Sequence, residues 1–172
     1  MTTLYSYMDS PLGDMLVARN EAGLVCLNFQ DGDSPVMPVA EWQRDDGALV
    51  DVATQLTEYF GGTRRTFDLP LVPQGTSFQM QVWQALQTIP YGKTVSYGEL
   101  AEQIDRPTAS RAVGAANGKN PLPIVIPCHR VIGRDGALTG YGGGVHIKAA
   151  LLMLEGALPS VQGQLFDQAQ PT

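Results

Sequence analysis

One heptapeptide places a nucleophile, a base and a cation side by side. Pro127-Cys128-His129-Arg130-Val131-Ile132-Gly133 follows the apolar run Pro121-Leu122-Pro123-Ile124-Val125-Ile126. Cys128 is one of two cysteines and His129 one of two histidines. A thiol becomes a strong nucleophile when a base or a positive field favours the thiolate, and His129 and Arg130 offer one of each. The apolar approach also suits an inert core cysteine, so the spacing alone leaves both readings open. In an extended strand residues 128 and 129 would face opposite sides. Cooperation between them requires a turn or helical start at Cys128, or a bridging water.

The elements that would position this motif fall into two groups. Residues 1–30 read as β structure: Leu4 to Met8 alternates, Ser10-Pro11-Leu12-Gly13 is a turn, and Met15 to Ala18 and Leu24 to Phe29 are strands. Leu49 to Phe60 has helical period, with Leu49, Val50, Ala53, Leu56, Tyr59 and Phe60 on one face, and Gly61-Gly62 closes it. Thr66 to Leu69 reads as one more strand. Pro70, Pro73 and Gly75 mark a boundary that divides the chain into an N-terminal α/β domain, 1–75, and a second domain, 76–158. The expected first domain is a small antiparallel sheet plus a helix, and the second is mostly α-helical.

In that second half, Ser77 to Ile89 is a helix with Phe78, Val82, Trp83, Leu86 and Ile89 inward. Ser96 and Glu99 form a capping box ahead of a short helix. After the break at Asp105-Arg106-Pro107, Ala109 to Asn117 forms a second short helix. Two short helices joined by a tight turn are the sequence form of a helix-turn-helix. The second helix carries small residues, Ala109, Ala112, Gly114, Ala115 and Ala116, with one long cation, Arg111. A major-groove reader carries long polar side chains instead. This surface suits either tight helix packing or a helix laid in a narrow groove with Arg111 projecting into the duplex. Lys148 to Glu155 is a last amphipathic helix, and 159–172 reads as a loosely held tail.

Composition bounds the function classes. The chain has 172 residues, 44% of them hydrophobic and 16% charged, as in a globular protein. It has no apolar run of roughly 18 residues to span a bilayer, and Met1-Thr2-Thr3-Leu4-Tyr5 lacks a signal-peptide pattern. Cys26 sits in the apolar Leu24-Val25-Cys26-Leu27, so two free thiols in a reducing cytoplasm are expected. C-x-x-C spacing is absent, and no metal is expected. The formal net charge of −6 hides an asymmetry. Residues 1–89 hold four basic and eleven acidic residues, whereas 90–134 hold six basic and three acidic. A locally basic face on an acidic protein can still bind a phosphate backbone, with strong salt dependence.

Taken together, Ser96-Tyr97-Gly98, Arg111-Ala112-Val113-Gly114, Asn120-Pro121, the Pro127–Gly133 motif, Gly140-Tyr141-Gly142-Gly143-Gly144 and Glu155 resemble the methylated-DNA–protein-cysteine methyltransferases. The similarity covers the family's catalytic domain over 76–156 and its less distinctive N-terminal domain over 1–75. It implies transfer of an alkyl group from the 6-oxygen of guanine, and of O4-alkylthymine as well, in double-stranded DNA to Cys128. The base is flipped from the minor-groove side. In the family's pattern Cys128 passes its proton through water to His129, which Glu155 orients. Asn120 supports the active-site loop and Tyr97 donates a proton to guanine. Arg111 fills the space of the extruded nucleotide, with Ala112 and Gly114 on the same helix. Tyr141 walls the pocket, Gly142 belongs to a loop offering an N–H to the 6-oxygen, and the carbonyls of Cys128 and Val131 read the guanine amino group.

Further expectations follow from the resemblance. A Cys–alkyl thioether is not readily cleaved, so single turnover without any cofactor is expected. One cysteine outside the motif is too few for the family's zinc sensor domain, which implies the stand-alone repair form; a monomer with no protein partner is the default expectation. Relatives often carry a basic residue before Lys148 where this chain has Ile147, a difference expected to alter DNA affinity. Lys119 could compensate through a phosphate contact, and His146 is expected at the surface. Two other readings, a cysteine hydrolase and a non-enzymatic DNA-binding module, leave unexplained the helix-turn-helix and Cys128 respectively.

Overall fold

The computed structural model of the chain describes residues 1–139 and 141–158. Gly140 and the tail 159–172 lie outside the described residues. Strands β1 (Leu4–Met8), β2 (Met15–Asn20), β3 (Gly23–Phe29) and β4 (Gln43–Arg44) form a sheet in the order β3-β2-β1-β4. The β1–β2 turn is fastened by Gly13 N–H to Ser10 O at 3.1 Å and Ser10 Oγ to Gly13 O at 2.6 Å. Strand β2 is covered on both faces. Met15 and Val17 point into the main core, and Leu16 and Ala18 pack with Cys26, Tyr5, Tyr7 and Trp42 on the other side.

Helix α1 (Val50–Phe60) follows a 3-10 turn over Gly47–Leu49. Its buried residues are Val52, Leu56 and Tyr59, whereas Val50 is 58% exposed. The expected inward face is therefore wrong at Val50. Leu49, buried from the preceding turn, and Val52, Leu56 and Tyr59 share one face, and Val50 lies off it. The expected strand over Thr66–Leu69 is also absent. Only Leu71 bridges β3, through Leu24 N–H to Pro70 O at 2.8 Å and Val72 N–H to Leu24 O at 2.7 Å. Prolines at 70 and 73 lack the N–H that a longer ladder needs. A further correction concerns β4, which pairs with β1 in parallel, so the sheet is not wholly antiparallel.

Helix α2 (Ser77–Leu86) opens with a capping box between Thr76 and Gln79, and α3 (Tyr97–Gln103) with the expected box between Ser96 and Glu99. Asp105 ends α3 in the left-handed region at φ 60°. There Arg106 N–H bonds Ala101 O at 2.9 Å and Asp105 N–H bonds Glu102 O at 3.0 Å, a pattern that stops a helix sharply. Helix α4 (Ser110–Gly118) then packs on α2 and α3, and Trp83 Nε1 donates to Ala116 O at 2.8 Å. Two-residue strands β5 (Val95–Ser96) and β6 (Val131–Ile132) pair in parallel, and α5 (Val145–Leu154) completes the described chain. One core runs through both halves, from Val17, Leu27 and Leu56 to Val82, Val113, Cys128 and Leu151. No helix among the described residues is long and apolar enough to cross a membrane.

Candidate active site

The loop that carries Cys128 is built around Asn120. Asn120 Nδ2 donates to Ile126 O at 2.7 Å, and its Oδ1 accepts from Leu122 N–H at 2.9 Å. One side chain thus clamps both ends of an apolar turn. Within that turn Ile124 holds φ 75° while 1% exposed. A β-branched residue there costs on the order of 1–3 kcal/mol and persists only when its surroundings over-determine it. Pro127, at φ −80° and ψ 67°, forms an inverse γ-turn closed by Cys128 N–H to Ile126 O at 2.7 Å. A 3-10 turn over Cys128–Arg130 follows at once. This is the helical start that lets adjacent residues 128 and 129 serve one site.

Cys128 is 3% exposed, and burial pushes its thiol up to about 11. The Asn120 side chain, Lys148 and Tyr141 act in the opposite sense. Tyr141 is itself 8% exposed, and its hydroxyl makes no well-formed hydrogen bond among the described residues. It lies against the thiol, whose thiolate its proton would favour. At neutral pH the resting nucleophile is therefore a neutral thiol.

His129 is fully buried, and burial, outweighing Glu155, moves its ring below the usual histidine range. Its Nε2 meets Glu155 Oε2 at 2.7 Å, while Nδ1 has no partner among the described residues. Glu155 accepts Nε2–H, so Nδ1 carries the lone pair and is the nitrogen able to take a proton. Glu155 is saturated: Oε2 also accepts from Tyr59 Oη at 2.6 Å and Arg130 Nη2 at 3.0 Å, and Oε1 from Arg130 Nε at 2.8 Å. Despite the opposing effect of burial, these bonds hold its carboxyl well below the usual range. Glu155 sits at the C-cap of α5, and Gly156 (φ 75°) turns the chain away behind it, with Ala157 N–H bonding Leu152 O at 2.8 Å.

The helix-turn-helix flanks this centre. Tyr97 opens α3, and its hydroxyl donates to Thr139 O. Gly114 of α4 lies under the Tyr97 ring. Arg111, Ala112, Ala115 and Lys119 form the exposed side of α4, whereas Val113, Ala116 and Asn117 are buried. The small residues Ala112 and Ala115 thus face outward rather than into a helix contact. Arg111 and Lys119 have no ion pair or hydrogen bond from their side chains among the described residues. Arg19, Arg44 and Arg64 in the N-terminal half are each paired with a carboxylate. Gly142 packs on the end of α4, where an added Cβ would meet Gly118 O at 2.8 Å. A groove of about 660 Å³ lined by Phe67, Leu71, Met80, Trp83, Ile124 and Val125 excludes both Cys128 and His129, and is not the reaction site.

One expectation changes. Ile147 is 1% exposed inside the core, so it is not a surface position where a basic side chain is missing from DNA contact. The Cys128 carbonyl accepts from Asn117 Nδ2 at 3.2 Å and from Val131 N–H. His146 is exposed, as expected. Sequence reasoning missed Tyr59, Asn117 and Lys148 and assigned Arg130 only a general field. Their signal was slight: Arg130 and Lys148 are charged residues inside apolar stretches, whereas Tyr59 reads as ordinary core.

Residues 77–157 match the 6-O-methylguanine DNA methyltransferase DNA-binding domain, and residues 3–73 match the ribonuclease-like domain of 6-O-methylguanine DNA methyltransferase. The methylated-DNA–protein-cysteine methyltransferase of Methanosarcina acetivorans is 47% identical over 153 residues, 89% of this chain and 98% of that protein. That of Mycobacterium tuberculosis is 48% identical over 164 residues, 95% of this chain and 98% of that protein. The crystal structure of Mycobacterium tuberculosis OGT in complex with DNA matches with a TM-score of 0.85 at 48% identity, over 95% of this chain and 99% of that one. Two domain matches in the expected order, and relatives alike over nearly their whole lengths, leave one assignment: the chain belongs to the methylated-DNA–protein-cysteine methyltransferase family.

Proposed function

We propose that this chain repairs double-stranded DNA by moving the alkyl group of O6-alkylguanine, and of O4-alkylthymine, onto Sγ of Cys128. The observation that carries the reading is the Cys128–His129–Glu155 arrangement, with His129 Nε2 committed to Glu155 and Nδ1 free. The thiol proton passes through water to Nδ1. The sulfur lone pair then forms the S–C bond while the C–O6 bond breaks, and its electron pair stays on the base. Tyr97 gives a proton to the ring as that charge develops, which leaves neutral guanine, and the proton that the thiol passed to His129 finally restores the Tyr97 phenol. This is nucleophile–base–orienter chemistry, and no step in it calls for a cofactor or metal.

The exposed side of α4 supports entry from the minor groove. Ala112 and Ala115 allow close approach, Arg111 is free to replace the flipped nucleotide, and Lys119 is free to meet a phosphate. Tyr141 and Gly142 wall the pocket, and the Val131 carbonyl is the candidate reader of the amino group. Residues 76–158 carry this chemistry and 1–75 brace it, acting as a monomer in the reducing cytoplasm. The thioether product leaves no free nucleophile, so each molecule acts once.

The test is intact-protein mass after incubation with duplex DNA containing O6-methylguanine. Wild type should gain one methyl per molecule, located on Cys128, and Cys128→Ala should gain none. Repeated turnover, or DNA binding without mass gain, would overturn the proposal.

A further inference from the structure

Strand β3 is an edge of its sheet, and the backbone groups on that edge are taken up by other segments. Leu24 pairs with the linker at Pro70 and Val72, and Leu27 N–H donates to Pro121 O at 2.9 Å, at the start of the loop that carries Cys128. Past the end of the strand, Asp33 N–H donates to Gly143 O at 3.3 Å. Gly143 belongs to the other loop of the proposed pocket, a turn over Tyr141–Gly144 closed by Gly144 N–H to Tyr141 O at 3.1 Å. One strand and its exit turn thus grip both loops that shape the reaction site.

Gly143 is held there without slack. A Cβ on it would meet Tyr141 Cε2 at 2.6 Å and Phe29 Cδ2 at 3.5 Å. Phe29 is the last residue of β3 and is 2% exposed. From the exit turn, a Cβ on Gly32 would meet Gly143 O at 2.7 Å and Gly143 Cα at 3.1 Å. Both are backbone atoms, which cannot rotate aside as the end of a side chain can. Gly32 does not hold a left-handed φ, so its missing side chain serves this close approach and not a turn conformation.

We infer that the exit turn of β3, with Phe29 and Gly32 as its positioning residues, seats the Tyr141–Gly144 wall and thereby sets how large an alkyl group reaches Cys128. The inference rests on the function proposed above and gives the N-terminal half a part in substrate selection. Tyr141 is the link, because it lies against the thiol and shares its turn with Gly143. A shift of Gly143 away from β3 is carried to Tyr141 through the turn hydrogen bond and the ring contact. A methyl group asks little of this wall. A larger group must lie along it, and a displaced wall either crowds that group or leaves it unsupported in the geometry of attack.

The experiment compares wild type with Gly32→Ala. Three quantities are read: duplex affinity, single-turnover rates of transfer from O6-methyl-, O6-ethyl- and O6-benzylguanine in one duplex, and amide hydrogen exchange at Asp33 and Gly144 without DNA. Gly32→Ala is expected to keep affinity within about twofold and methyl transfer within about threefold, while the larger groups slow by about tenfold or more. The two amides should exchange about tenfold faster or more. Equal slowing of all three groups would overturn the inference, since a general structural defect spares none, and so would unchanged rates. A wild type that transfers methyl and neither larger group overturns it too, because a pocket closed at one carbon leaves the wall nothing to discriminate. Should Gly32→Ala not fold, Phe29→Leu decides: it removes the ring edge beneath Gly143 and should slow the larger groups alone, and equal slowing or none refutes the role. A wild type that gains no methyl refutes the proposed function, whereas unchanged exchange in Gly32→Ala refutes the seating.

Discussion

A nucleophile that rests as a neutral thiol is a latent one. Burial sets Cys128 at about 11, against a free-cysteine value near 8.5 to 9, while the neutral His129 beside it waits with a lone pair on Nδ1. A thiolate exposed at neutral pH would be open to adventitious oxidation, a loss that the proposed single-use chemistry could not make good. Protonation at rest protects the thiol, and in the proposed reaction the bound substrate supplies the geometry that draws the proton to His129. In Cys26→Ala protein without DNA, alkylation of Cys128 by iodoacetamide should therefore be slow at pH 7. It should climb close to tenfold per pH unit until about pH 11. A plateau reached near pH 7 would show a thiolate already formed at rest. The sequence announced the thiol and its neighbour but not its protonation state, because that depends on Asn120, Tyr141 and Lys148, which meet it only in the fold.

At the scale of elements, the site depends on how segments begin and end. The capping box at Ser96 aims Tyr97, the Asn120 clamp and the γ-turn at Pro127 aim Cys128, and Gly156 leaves Glu155 at the end of α5. Local sequence carried the first of these well. Ser96 and Glu99 stand three apart, and Gly61-Gly62 likewise marked the end of α1. It failed where tertiary pairing decided the outcome. The run Thr66–Leu69 has strand composition, yet the edge of β3 accepted only Leu71. The small-residue stripe of α4 was ambiguous for the same reason: Ala fits a packed interface and an open groove-binding face equally well. Its exposure in the fold gives the second reading a direct test. Ala112→Leu adds an exposed side chain that helices tolerate, so stability should change by no more than about 0.5 kcal/mol. Duplex affinity should fall at least tenfold, because the added bulk holds the helix out of the groove. Retained affinity would show that this side of α4 does not approach DNA closely.

Across the whole molecule, the N-terminal half braces the Glu155 cluster with a side chain of its own. Tyr59, on α1, is the hydroxyl that completes Glu155, and the core that buries it runs without a break from β2 to α5. Glu155 is thus where both halves, His129 and the buried Arg130 converge. Its folded carboxyl titrates below its ordinary value of 4.5, and the sign of the linkage follows. The stabilisation is fully present above the unfolded value and is lost as pH falls below about 4.5 toward the folded one. Thermal unfolding from pH 7 to pH 3 should show Tm falling steeply below pH 4.5 in wild type. Glu155→Gln leaves Arg130 buried without its counter-charge, and should be less stable at pH 7 by about 3–5 kcal/mol. Its acid limb should be markedly flatter, since the group that takes up the proton is gone. Equal acid slopes in the two proteins would mean that Glu155 does not hold the halves together. The pairing of 1–75 with 76–158 would then rest on apolar contact and backbone hydrogen bonds.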